Sequence, residues 1–133
     1  MNAEEIQRHF ENSPFSKFLQ LQVRSASEQA LVVRMPLRPE ICRGGAYQQF
    51  HGGAIATLID VAGDFAVALL VGGPVPTVKM DVDYLRPAMG QWVEASAMVR
   101  RKGRTLSTVD MEVVREDGQL VALGRCVYVS SPG

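Results

Sequence analysis

No stretch limits this chain more than His51–Val71, HGGAIATLIDVAGDFAVALLV. It opens on Gly52-Gly53, runs on through mostly apolar residues and stops at Gly72-Gly73-Pro74, so both ends carry the punctuation of one long helix. At about 100° per residue, Ile55, Leu58, Ile59, Ala62, Phe65 and Leu69 share one side. Gly53, Ala56, Thr57, Asp60 and Asp64 share the other. The bulky side predicts a core face, and the small side presents two carboxylates one turn apart.

The rest of the chain must cover that bulky side. Asn2 and Glu5 form a capping pair for a short helix whose apolar side is Ile6 and Phe10, and Asn12-Ser13-Pro14 ends it. Leu19, Leu21 and Val23 alternate with polar residues as a half-buried strand, and ALVVRM (30–35) makes a second. Residues 38–50 have no period and read as a loop entering the long helix. After the helix, four strands follow. One carries the alternation of Val78, Met80, Val82 and Tyr84, one runs from Val93 to Val99, and the last two span 104–115 and 120–129. Lys102-Gly103 and Glu116-Asp117-Gly118 supply turns between the late strands, which predicts antiparallel pairing. An antiparallel sheet needs one covered face, and only the long helix is long enough to cover it. The reading is a single α+β domain over 1–133, with about six strands wrapped around one central helix.

Composition narrows the function. Fourteen basic residues balance fourteen acidic ones, leaving no electrostatic footprint for nucleic acid. Two cysteines and two histidines, Cys42, Cys126, His9 and His51, are poor material for a metal site, so neither metal nor other cofactor is expected. The N-terminus MNAEEIQRHF is unlike a signal peptide, and the aspartates inside the long helix argue against a membrane span, so a cytoplasmic location is expected.

The candidate chemistry sits on the long helix. Its N-terminus exposes unpaired N–H groups at the positive end of the dipole, and Gly52 and Gly53 leave room for a substrate oxygen beside them, the makings of an oxyanion hole. Asp60, about two turns on and on the same side as Gly53, can serve as general base on water or attack a carbonyl itself. His51 is expected to cap or orient the loop and Thr57 to pack. Asp64, repelled by Asp60, is expected to face solvent or another subunit, beside substrate. A thiolate leaves readily, so a thioester needs no Ser-His-Asp set: one carboxylate, a water and a helix tip suffice.

His51-Gly52-Gly53 followed by Asp60, together with Thr77-Val78-Lys79-Met80-Asp81-Val82-Asp83-Tyr84-Leu85-Arg86-Pro87, resembles the hotdog-fold acyl-CoA thioesterases of the phenylacetate-pathway type. The likeness spans roughly residues 15–130. It implies an acyl-CoA substrate with an aromatic or medium-chain acyl group, a homodimer or homotetramer with sites at the subunit interface, and no cofactor. It also implies Asp60 as base or nucleophile, the Gly52 N–H as oxyanion donor with Gly53 beside it, and Thr77 holding the acid or water from the neighbouring subunit. Lys102 and Arg104 are expected to contact the CoA phosphates. The family has Asn or Gln where this chain has Gly45; Gln48 and Gln49 are the nearest amides. That departure raises an alternative, an acyl-CoA binder without turnover. The hydratase branch of the fold would require His51 as its base.

Overall fold

The computed structural model describes residues 1–45 and 48–133. Helix α1 (Ala3–Asn12) begins at the expected capping box, with the Asn2 side chain on the Glu5 N–H and the Glu5 carboxylate on the Asn2 N–H. Ile6 and Phe10 are buried, as their spacing requires. Pro14 then opens a second short helix, α2 (Pro14–Phe18), which the sequence reading did not anticipate. Leu19 and Leu21 are buried in the turn that follows, where Gln20 adopts φ 55°. Their alternation therefore came from a turn against the core, and β1 starts later, at Gln22–Ala26.

The remaining strands are β2 (Leu31–Pro36), β3 (Thr77–Tyr84), β4 (Trp92–Lys102), β5 (Leu106–Arg115) and β6 (Leu120–Val129). They form one antiparallel sheet in the order β1-β2-β4-β5-β6-β3. β3 thus does not join its neighbour in sequence but crosses to the far edge, against β6. β5 begins two residues later than expected because Arg104 and Thr105 are spent on the turn, closed by the Gly103 N–H on the Leu106 carbonyl. The loop before the long helix carries a 3-10 turn, Pro39–Ile41, and is tied to its surroundings by the bridges Cys42–Phe50 and Gln49–Met89.

The long helix, α3 (Gly52–Val71), lies in the curl of this sheet, the hotdog arrangement. By length and hydropathy it could cross a membrane; here it is the core element, packed most extensively on β4. Small residues at the inward positions of β4, Ala95 and Ala97, let the helix come close, and Val33, Met35, Val109 and Met111 fill the flanks. The buried side of α3 is wider than the sequence wheel, taking in Gly63, Ala66, Val67 and Ala68; Tyr128 lies against Gly63, and α1 packs Phe10 edge-on against Phe65 at a centroid distance of 5.1 Å. Leu69, expected in the core, is only partly buried. Gly72 ends the helix in the left-handed conformation, φ 93°.

β3 departs from its predicted half-buried pattern. Seven of its eight residues are exposed, and only Val82 is partly covered. Among the described residues no strand lies beyond β3, and its apolar side chains Val78, Met80 and Tyr84 are exposed, as is Leu85 just past its end.

Candidate active site

At the tip of α3, His51 is the N-cap, and its Nδ1 accepts the Gly53 N–H at 2.9 Å. That fulfils the capping expectation for His51 but removes Gly53 as a second oxyanion donor. The Ala54 and Ile55 N–H groups go to the His51 carbonyl. Among the described residues no acceptor meets the Gly52 N–H, so one donor remains for a ligand. Tyr84, at the end of β3, lies over this tip and donates its hydroxyl to the Gly52 carbonyl at 2.6 Å. A Cβ at position 52 would stand 3.4 Å from the Tyr84 ring, an ordinary contact distance.

Gly52 borders a cleft of about 430 Å³. Phe50, Ile55 and Leu85 form apolar walls, and Arg43, Gln49 and Arg86 are among its polar residues. Gln49 is therefore the amide that reaches this cleft. Gln48 lines a different groove, with Arg38 and Met89.

Asp60 sits farther along α3, partly buried, and accepts the Thr77 hydroxyl on Oδ1 at 2.8 Å. The resemblance had Thr77 arriving from a neighbouring subunit. It is supplied instead by the same chain, because β3 runs beside its own α3 and starts next to Asp60. Below Asp60 the buried Tyr128 donates its hydroxyl to the Asp60 carbonyl at 2.8 Å, and burial pushes the Tyr128 phenol well above its ordinary pKa. Thr57 turns its hydroxyl to the Gly53 carbonyl at 3.0 Å, a bond within the helix.

Asp64 is half-buried. Burial, opposed by a hydrogen bond from the Val75 N–H at 2.7 Å and reinforced by the Asp60 charge, pushes its carboxyl up to about 6. It lines neither the Gly52 cleft nor the Gln48 groove, and its Oδ1 is bonded to its own chain. Lys102 and Arg104 lie in the exposed β4–β5 turn, where Arg101 and Arg104 flank a shallow groove of about 320 Å³. The Thr105 carbonyl accepts the Ser130 N–H, and the Pro76 carbonyl accepts the Val129 N–H, so this turn neighbours the start of β3. It belongs to the Thr77 end, away from the Gly52 cleft.

The two halves of the expected chemistry thus occupy opposite ends of β3: Asp60 with Thr77 at its start, Gly52 with Tyr84 at its end. Eight residues at about 1.5 Å each separate Gly52 from Asp60 by about 12 Å along the helix. An oxyanion donor must lie about 3 Å from the carbonyl oxygen and the acid within reach of the carbonyl carbon or its attacking water, so a separation of about 12 Å is long for one chain to bridge. Sequence reasoning assigned no role to Tyr84, although the Tyr-x-x-Pro end of β3 marked the position. It passed over Tyr128, whose cue was a glycine in mid-helix, Gly63, opposite it. Arg43 and Arg86 carried no sequence signal that distinguished them from other arginines.

A family model described as the thioesterase superfamily matches residues 47–122. A solved structure of a protein from that superfamily is 40% identical, with TM-score 0.90 and 96% of each chain covered. The zebrafish thioesterase superfamily member 2 superposes with TM-score 0.85 at 27% identity, over 98% of this chain and 99% of that one. Among curated proteins, the acyl-coenzyme A thioesterase PaaI of Escherichia coli is 32% identical over 118 residues, 87% of this chain and 81% of the relative.

Proposed function

The chain belongs to the thioesterase superfamily and is a thioesterase, and on that footing we propose that it hydrolyses acyl-CoA thioesters in sites shared between two copies of itself. The observation that carries this reading is the placement of Asp60 and Gly52 at opposite ends of an exposed edge strand. An edge strand with unpaired backbone groups and exposed apolar side chains is a template for another strand. Antiparallel self-pairing of β3 about a two-fold axis lays the Thr77 end of one copy alongside the Tyr84 end of the other. Asp60 of one subunit then faces the Gly52 N–H of the second, and Val78, Met80 and Tyr84 are covered. The same pairing brings Lys102 and Arg104 of the first subunit toward the Arg43–Arg86 cleft of the second, where the CoA phosphates have cations to meet.

In this site the thioester carbonyl oxygen takes the Gly52 N–H, at the positive end of α3. Asp60, oriented by Thr77, either removes a proton from water as the water oxygen bonds to the carbonyl carbon, or bonds to that carbon itself. The carbon–sulfur bond breaks as the tetrahedral centre collapses, and CoA leaves as a thiolate that takes up a proton; in the direct-attack route a water then cleaves the acyl–Asp60 anhydride, releasing the acid and restoring the carboxylate. A thiol has a pKa of about 8.5, so departure needs little acid assistance. The cleft of about 430 Å³ with its Phe50, Ile55 and Leu85 walls suits an aromatic or medium-chain acyl group.

The test is an acyl-CoA panel with a thiol-trapping readout, run on the wild type and Asp60→Asn. Free thiol from an aromatic or medium-chain member, reduced at least about 100-fold in the variant, is the expected result. Tight binding with no thiol released across the panel selects the binder reading instead, and undiminished activity of Asp60→Asn removes Asp60 from the chemistry.

A further inference from the structure

We propose that Asp64 is a positioning residue for Asp60, acting through the segment that carries Thr77. The inference rests on the reading of Asp60 as the reacting acid. It starts from the sequence Pro74-Val75-Pro76, in which only the middle residue has an N–H to donate. That N–H goes to the Asp64 carboxylate at 2.7 Å, and Val75 itself is buried. Two residues on, the Thr77 hydroxyl goes to the Asp60 carboxylate at 2.8 Å. Asp60 and Asp64 are one helical turn apart, so the two bonds close a ring: helix to Val75, Val75 to Thr77, Thr77 back to the helix.

The other ties of this segment run elsewhere. The Pro74 carbonyl accepts the Gly133 N–H and the Pro76 carbonyl accepts the Val129 N–H, both from the C-terminal stretch. Asp64 is thus the polar hold on the α3 side, and it fixes how far Thr77 stands from Asp60. The two carboxylates also differ in surroundings. Asp60 borders the edge strand with a rotatable hydroxyl as partner, whereas Asp64 is bound to a rigid backbone N–H between two prolines. A flexible partner suits a group that meets substrate, and a rigid one suits a strut.

The experiment compares Asp64→Ala, Asp64→Asn and Asp64→Glu in the full chain, with steady-state kinetics on the best acyl-CoA of the panel. Asp64→Ala frees Val75, and kcat is expected to fall roughly 10- to 100-fold with KM within about twofold, the signature of a misplaced reacting group. Asp64→Asn keeps an acceptor for the Val75 N–H and is expected to stay within about threefold of the wild type in kcat. Wild-type kcat in Asp64→Ala overturns the proposal, as does a raised KM at unchanged kcat, which marks a substrate contact. Loss in Asp64→Asn equal to that in Asp64→Ala overturns it too, because charge would then be the requirement. If Asp64→Ala does not fold, Asp64→Glu decides: it keeps charge and acceptor but displaces Val75 by a methylene, so lowered kcat supports the strut and wild-type kcat refutes it. Asp60→Asn separates the two readings. Full activity there fails the proposed function, while an inactive Asp60→Asn beside a normal Asp64→Ala fails only this inference.

Discussion

Gly63→Ala is the sharpest test of how α3 meets the sheet. A methyl at position 63 would stand 2.2 Å from the Tyr128 hydroxyl oxygen, 2.8 Å from Cζ and 2.9 Å from Cε2. The Tyr128 ring is completely buried and its hydroxyl is bonded to the Asp60 carbonyl, so it has nowhere to swing. Overpacking of one methyl in a tight core costs about 1–3 kcal/mol or more, and displacing the Tyr128 hydrogen bond adds about 1 kcal/mol. Exchanging Gly for Ala inside a helix returns about 1 kcal/mol. The expected net loss is about 1–3 kcal/mol, read as a lower urea midpoint at unchanged slope and fixed protein concentration. Tyr128→Phe alone is expected to cost about 1 kcal/mol, and the double variant to be less destabilised than the two single losses together by about 1 kcal/mol, since the closest contact is gone. A Gly63→Ala protein as stable as the wild type, or more so, would refute the packing described for Tyr128.

Three further outcomes are expected. Thr77→Val removes the hydroxyl that bonds the Asp60 carboxylate and should lower kcat about tenfold with little change in KM, while Thr77→Ser retains most activity in the thiol assay. Tyr84→Phe frees the Gly52 carbonyl and should lower kcat severalfold, with a far-UV spectrum unchanged, because the helix tip loses its outer clamp. Asp64, raised from 3.8 to about 6 in the fold, makes the folded state bind the extra proton between those values. The stability its protonation contributes is therefore present in full below about pH 4 and lost as pH rises through 6, by at most about 3 kcal/mol and less once residual solvent screening is counted. Asp64→Asn should abolish that slope in urea titrations at pH 4.5 and 7.5; an unchanged slope would show that another group produces it.

The fold was legible where periodicity and punctuation agreed. The ends of α3, the cap of α1 and the strand β6 stand where Gly, Pro, Asn and alternation put them. The misreadings share a cause: an alternating pattern reports which residues are apolar, not what covers them. Leu19 and Leu21 are buried by a turn, and Val78, Met80 and Tyr84 stand exposed on an edge strand. At the site, His51 as cap and the Asp60–Thr77 association were within reach of the motif. That Thr77 comes from the same chain, and that Gly52 does not face its own Asp60, depends on β3 crossing to the far side of the sheet, a long-range choice that no local spacing encodes. The role of Asp64 was hidden for the same reason, since its partner is a backbone N–H eleven residues away.

Subunit complementation tests most directly whether the site is built from two chains. Asp60→Asn removes the acid. Gly52→Pro removes the oxyanion N–H at the first helical position, where proline is tolerated and the extended backbone of His51 already suits a following proline. Each variant alone is expected to be inactive. Co-expressed and randomly paired, half the dimers are mixed, and one of the two sites in each mixed dimer joins an intact Asp60 to an intact Gly52, so about a quarter of wild-type activity should return. No recovery from verified mixed dimers would mean that both groups must come from one chain, and the shared site would be wrong.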